Sequence, residues 1–285
     1  MKYLFLSLLL TAVNIGIAAS PALAQNSAEN SQSQAAKVQP PVWIEEMTWT
    51  EIDGALKLGY TNIIIPAAGI EQNGPHIPLY KHRLVVRNNA EKIARILGKT
   101  LIAPVIDFVP EGNIESREGH MNFAGTISMP AKVFGDIIDY TVRSLSQHGF
   151  RQFYIIGDSG SSQQAQEQIA KSLRKNDYEA FHIGDYYANK AQEEFLGKHG
   201  FDEKSIGGHS GLRDTSEFML VAPMEVRSKL LGVVPKDKLY QYGTWGNTAK
   251  ANPQIGHMLS QIKVQAAVKQ ICEDTNIKSK ACHTR

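Results

Sequence analysis

Apolar positions along the chain alternate between two periods. Residues 62–68 carry an apolar run around Ile63, Ile64 and Ile65, which reads as a buried strand. Residues 84–97 place Val85, Ala90, Ile93 and Ile96 at helical spacing and close on Gly98. A second strand is predicted over 100–106 and a long polar loop over 108–125. A helix starts at Pro130, runs through Val133, Ile137, Ile138, Val142 and Leu145, and ends at Gly149. Strands follow at 152–156 and 179–183, separated by a helix over 162–174. Helices over 188–196, 215–220 and 255–271 complete the pattern. Strands and helices alternating on short connections predict an α/β fold, a mostly parallel sheet with helices on both faces.

The N-terminal residues fall outside this pattern. Lys2 precedes a mostly apolar stretch, and Ala22-Leu-Ala24 is a small-x-small cleavage site before Gln25. Residues 1–24 therefore read as an export signal, short for a membrane span. The mature protein is expected in the periplasm or secreted, with no membrane attachment after cleavage. Residues 25–42 are rich in Gln, Ser, Asn and Ala and contain Pro40-Pro41, the composition of a disordered linker. One folded domain is expected over 43–285. Cys272 and Cys282 lie close together near the C-terminus, and an oxidising compartment predicts a disulfide between them. The formal net charge is only +2, with no Lys/Arg block. That excludes nucleic acid as the main partner, because there is no dominant basic field.

The stretch Ala67-Ala-Gly-Ile-Glu-Gln-Asn-Gly-Pro-His-Ile-Pro-Leu79 places Glu71, Asn73 and His76 on a turn at the end of the first strand. Sites in open α/β sheets form at such ends. Four more stretches carry polar chemistry: His120-Met-Asn-Phe-Ala-Gly-Thr-Ile-Ser128, Ile155-Ile-Gly-Asp-Ser-Gly-Ser161, His209-Ser-Gly-Leu-Arg-Asp-Thr-Ser216 and Gly243-Thr-Trp-Gly-Asn247. In order, the five resemble motifs of the creatininase (creatinine amidohydrolase) family: E-Q-H-G-P-H-L-P, H-x-x-F-P-G-T-I-S, N-G-H-G-G-N, H-A-G-x-x-E-T-S and G-x-x-G-D/N. The resemblance runs from about Glu45 to Ile271.

This resemblance implies a creatininase-like fold, metal-dependent hydrolysis of a cyclic or linear amide, and a homo-oligomer, a hexamer in the family. The family's two-metal ligands map onto Glu71, Asn73, His82, Asp158 and Gly160. Only Glu71 keeps its type. Asn73 and Asp158 stand where the family has His, His82 stands where it has Asp, and Gly160 supplies no ligand. One Glu, one Asp and one His survive as Glu71, Asp158 and His82, with Asp and His exchanged. That set predicts one divalent metal, Zn²⁺ or Mn²⁺. A two-metal site is not expected, since an imidazole nitrogen does not bridge as a carboxylate does.

His209 matches a family position that implies proton transfer between water and the leaving amine. Asp214 either orients a ligand or His209 or caps a helix at 215. Asn73, His120 and Trp245 are expected at the small-molecule substrate, Trp245 as part of an aromatic wall with Tyr240 and Tyr242. His76, on its proline-flanked turn, is expected to make a structural hydrogen bond. Ser159 and Ser161 do not match G-x-S-x-G. Two readings stay open: a single-metal hydrolase of a small amide C–N bond, and a catalytically silent protein of this fold that binds a small ligand.

Overall fold

The computed structural model describes residues 39–277 and 279–282. The export signal expected over 1–24 and nearly all of the linker expected over 25–42 lie outside the described residues. The chain divides into units 1–40 and 41–285, and the second contains everything below. Val42, assigned to the linker by composition, is buried, and its carbonyl accepts from the Ile102 N–H at 2.8 Å.

In chain order the elements are α1 (Trp49–Lys57), β1 (Asn62–Ala67), α2 (Lys81–Leu97), β2 (Thr100–Ile102), α3 (Ala131–Gln147), β3 (Gln152–Gly157), α4 (Gln163–Lys175), β4 (Glu179–His182), α5 (Asn189–Lys198), α6 (Glu203–Ile206), α7 (Leu212–Val221), β5 (Val233–Val234), α8 (Leu239–Tyr242), β6 (Gly246–Asn247) and α9 (Pro253–Asp274). The main sheet has order β2-β1-β3-β4, every pairing parallel. β5 and β6 form a separate antiparallel pair.

Alternating side chains of β1 serve both faces of the sheet, as a period of two requires. Ile63 and Ile65 pack with Phe134, Ile138 and Val142 of α3, with Leu173 of α4 and against Ile52 of α1. Ile64 points the other way, toward Val86, Ala90 and Ile93 of α2 and Val264 and Ile271 of α9. Each of the larger buried side chains, Ile, Val, Leu and Phe, contributes about 1.5–3 kcal/mol relative to exposure. The α/β expectation therefore holds, with a mostly parallel sheet and helices on both faces.

Element ends differ from the expectations for local reasons. β2 stops at Ile102 rather than 106, because Pro104 has no N–H to give the ladder. The backbone still follows β1, with Ile106 N–H bonded to the Pro66 carbonyl at 2.9 Å. α2 begins at Lys81 instead of 84, and α7 begins at Leu212 instead of 215. α1 was not expected at all; it opens on a capping box in which Thr48 and Glu51 satisfy each other's backbone N–H. Cys272 and Cys282 are disulfide-bonded, tying the end of α9 to the tail. Among the described residues, no helix is long and apolar enough to cross a membrane.

The strand order places a topological switch between β1 and β3, whose outgoing connections run to opposite sides of the sheet. A crevice opens there at the carboxyl ends. α7 and α9 close over it and cross at Gly256, where an added Cβ would collide with the Ser216 backbone carbonyl. Gly256→Ala should therefore destabilise by roughly 1–3 kcal/mol through overpacking, although Ala is the better helix former by about 1 kcal/mol. Urea unfolding tests this: a lower midpoint is expected, and an unchanged or raised midpoint would mean α7 can back away.

Candidate active site

Two short turns deliver the central carboxylates. Glu71 follows β1 and Asp158 follows β3, so neighbouring strands place both at the switch point, each less than 5% exposed. The early start of α2 sets His82 between them. Its Nε2 lies 2.6 Å from Glu71 Oε1 and its Nδ1 lies 2.7 Å from Asp158 Oδ2. Both ring nitrogens face carboxylate oxygens, so both carry protons. Burial and Lys81 push His82 down, but the two carboxylates prevail and hold it at about 9. Burial would raise Glu71 and Asp158; cationic neighbours keep both well below the usual carboxylate range.

The remaining charges form a shell around this chain. Lys263 of α9 reaches Asp158 Oδ1 at 2.6 Å and Glu217 Oε1 at 3.4 Å. Tyr186 Oη also donates to Asp158 Oδ1, at 3.1 Å. Lys81 donates to Asp214 Oδ2 at 3.0 Å, and Arg213 Nε donates to Asp214 Oδ1 at 3.2 Å. A cavity of about 170 Å³ lies against them. Glu71, Asp158, Asp214 and Glu217 line it, opposed by Lys81, His82, Arg213 and Lys263. Four acids thus meet four basic groups inside a space that holds only a small molecule.

His120 and His209 close the mouth, ring centroids 4.4 Å apart. His209 Nε2 donates to the Gln72 carbonyl at 2.7 Å. Burial drives His209 down to about 4, so the ring is neutral near pH 7 and its Nδ1 bears a lone pair. That lone pair faces Glu71 Oε1 across 3.7 Å. His120 Nε2 lies 3.0 Å from Glu71 Oε2, and burial lowers His120 as well. The His209 loop is held tightly: Gly208 packs on the Trp245 indole, and buried Ser210 adopts a left-handed φ of 52°. Its carbonyl accepts from the hydroxyls of Thr215 and Thr244, which hold that strained backbone in place.

The expected trio of Glu71, His82 and Asp158 is assembled, but as a hydrogen-bonded chain rather than around a common gap. Among the described residues, the group with spacing for a metal ion is Glu71, His120 and His209, whose ligand atoms lie within 4.8 Å of one another. Its carboxylate and two imidazoles are ordinary zinc donors, and the carbonyl on His209 Nε2 fixes the ring for ligation through Nδ1. Asn73 is fully buried away from the cavity, its amide on the Glu71 and Pro78 carbonyls. Trp245 supports the His209 loop instead of walling the pocket. Asp214 lies inside the first turn of α7, not at its cap, where it pairs with Lys81 and accepts from Ser210 N–H at 2.9 Å. His76 meets Thr215 Oγ1 at 2.9 Å, a structural bond as expected.

Sequence reasoning missed Lys81, Lys263, Glu217 and Arg213. One signal was present: Leu259, Lys263, Ala267 and Ile271 step by four along α9, which puts a lysine on a buried apolar stripe. Glu111 was missed too. It is buried beside Glu71, accepts from Ser161 Oγ at 2.6 Å, and is raised to about 8, chiefly by burial and then by the Glu71 charge.

A family model described as creatininase, creatinine amidohydrolase, matches residues 45–271. The creatinine amidohydrolase of Pseudomonas putida is 25% identical over 138 residues, covering 48% of this chain and 52% of that protein. The match thus spans about half the length of that curated relative. Among solved structures, a creatinine amidohydrolase superposes with TM-score 0.67 at 20% identity, covering 84% of this chain and 99% of that one. A structure titled creatininase Mn gives 0.66 at 20%, covering 83% and 100%. A mutant creatininase of Zn–Zn type gives 0.64 at 20%, covering 84% and 100%.

The His82 geometry predicts a pH dependence. Its folded value of about 9 lies above the unfolded value near 6.5. Its contribution to stability is therefore full below pH 6.5 and lost as pH rises through 9. Glu111 adds a loss of the same sign that is complete near pH 8. His82→Gln should destabilise by about 3–5 kcal/mol at neutral pH, since it removes the cation that bridges two buried carboxylates and leaves only Lys81 and Lys263 to offset them. It should also flatten the decline between pH 6.5 and 9. Urea midpoints across that range decide it; an equal slope in the variant would contradict the assignment.

Proposed function

Because this chain belongs to the creatininase family, we propose that it is a metal-dependent hydrolase that cleaves the C–N bond of a small amide in the cavity between β1 and β3. One divalent ion, Zn²⁺ or Mn²⁺, would be held by Glu71, His120 and His209. The observation that carries this reading is the 3.7 Å gap between His209 Nδ1 and Glu71 Oε1, two lone-pair atoms with no proton between them. Entry of an ion would displace the His120–Glu71 contact and turn the Gln72 amide from His120 Nδ1. When bound, the ion supplies a Lewis acid for the amide carbonyl and lowers the pKa of a bound water.

The chain's own groups do the rest. As a ligand, His209 gives up the proton-transfer role that its motif suggested. Ser159 and Ser161, joined at 2.7 Å, connect the cavity to Glu111 and offer a path for a proton. Lys81 and Arg213 present N–H groups to polar substrate atoms, and the small volume sets the size limit. The Cys272–Cys282 bond supports a periplasmic or secreted location.

A silent ligand-binding protein is the second reading. It is favoured by the His82 bridge, which satisfies Glu71 and Asp158 from within the protein. Metal analysis combined with turnover of a panel of small linear and cyclic amides separates the two. The hydrolase should carry about one Zn or Mn per chain, lose turnover on chelation and regain it on re-addition. His209→Ala should lower kcat/KM about 100-fold or more, as loss of a ligand does. A metal-loaded protein that binds amides without turning them over would establish the silent reading, and turnover surviving exhaustive chelation would overturn the metal assignment.

A further inference from the structure

We infer that Lys263 is a built-in cation that takes the place of one ion of the family's metal pair, so that this chain holds at most one. The relative of Zn–Zn type carries two ions in its title, and the motif comparison places Asp158 at a ligand position of such a pair. Here three of the roughly four acceptor directions of Asp158 are taken: Oδ1 by Lys263 at 2.6 Å and Tyr186 at 3.1 Å, and Oδ2 by His82 at 2.7 Å.

Neither of the two family ligand positions at 73 and 160 offers a donor either. Asn73 gives its amide N–H groups to backbone carbonyls and takes Ser210 Oγ on Oδ1 at 3.3 Å. Gly160 has no side chain, and an added Cβ would lie 2.5 Å from Tyr187 Oη, so any side chain there requires Tyr187 to shift.

Two buried carboxylates converging on one point need a positive charge between them. Asp158 and Glu217 converge on Lys263 Nζ, and all three residues are at most 5% exposed. The ammonium also sits 5.2 Å from the centroid of the Tyr186 ring, a further attraction. Leu259, Ala267 and Ile271, above and below Lys263 on the same stripe, are buried and fix it there.

This inference concerns the second ion only, and it stands whether or not Glu71, His120 and His209 hold a first. The test counts Zn²⁺ per chain by native mass spectrometry, after equilibration with Zn²⁺ and buffer exchange, for the wild type, Lys263→Met and Lys263→Arg. Removing the ammonium opens one acceptor direction on each of Asp158 Oδ1 and Glu217 Oε1, which keep Tyr186 and Gln192 respectively, so Lys263→Met should bind one Zn²⁺ more than the wild type. Its thermal midpoint should rise with added Zn²⁺ more than the wild type's. Lys263→Arg keeps the cation and should match the wild-type count. Two ions on the wild type, or a folded Lys263→Met with the wild-type count, overturns the inference. If Lys263→Met fails to fold, the wild-type count decides: two ions overturns it, and one or none sustains it. Zero ions on the wild type would count against the hydrolase proposal without touching Lys263.

Discussion

The structure depends on one constraint: two carboxylates are buried at the ends of adjacent parallel strands, and each must be neutralised from within. Glu71 and Asp158 arrive there because β1 and β3 pair in register and both strands end at the switch point. Left alone, two such charges would cost several kcal/mol each. His82 spans them with both ring nitrogens, and Lys263 and Lys81 complete the compensation. These cations come from α2 and α9, the helices that cover one face of the sheet. Core packing and site electrostatics are therefore coupled: α9 cannot shift on its apolar stripe without withdrawing Lys263 from Asp158.

Function follows from how this compensation is distributed. Asp158 is bound by the charged His82 and Lys263 on its two oxygens, whereas Glu71 is bound by the charged His82 on only one oxygen. Its Oε1 takes His82, while the neutral imidazoles of His120 and His209 face it from the mouth. Reactive capacity is thus concentrated at the Glu71 end of the network, beside the His209 loop. The strained Ser210 backbone and the Gly208–Trp245 contact belong to the same design, because they fix where His209 Nδ1 points.

The fold was legible in the sequence because its signals are local. The Ile63–Ile65 run, the helical spacing of Val85 to Ile96 and the Gly-rich strand ends each act within one element. The site was legible only in part. Motif positions located Glu71, His82, Asp158, His120 and His209, but not their partners. The His120–Glu71 and Lys263–Asp158 contacts join residues 49 and 105 positions apart, and no local pattern encodes them. Asn73 is expected at the substrate from its motif position, and Trp245 from its aromatic neighbours Tyr240 and Tyr242. In the folded chain the Asn73 amide finds backbone carbonyls and the indole finds a glycine. The starts of α2 and α7 were read late because Lys81, His82, Arg213 and Asp214 look like loop residues until tertiary ion pairs hold them.

The most direct test of this charge arrangement is anomalous diffraction at the zinc edge from crystals grown with Zn²⁺. The account predicts one peak, about 2.0–2.2 Å from Glu71, His120 and His209 donor atoms. It also predicts Lys263 Nζ between Asp158 and Glu217, with no peak beside it. A zinc peak bonded to Asp158, with Lys263 swung out of the cavity, would contradict it.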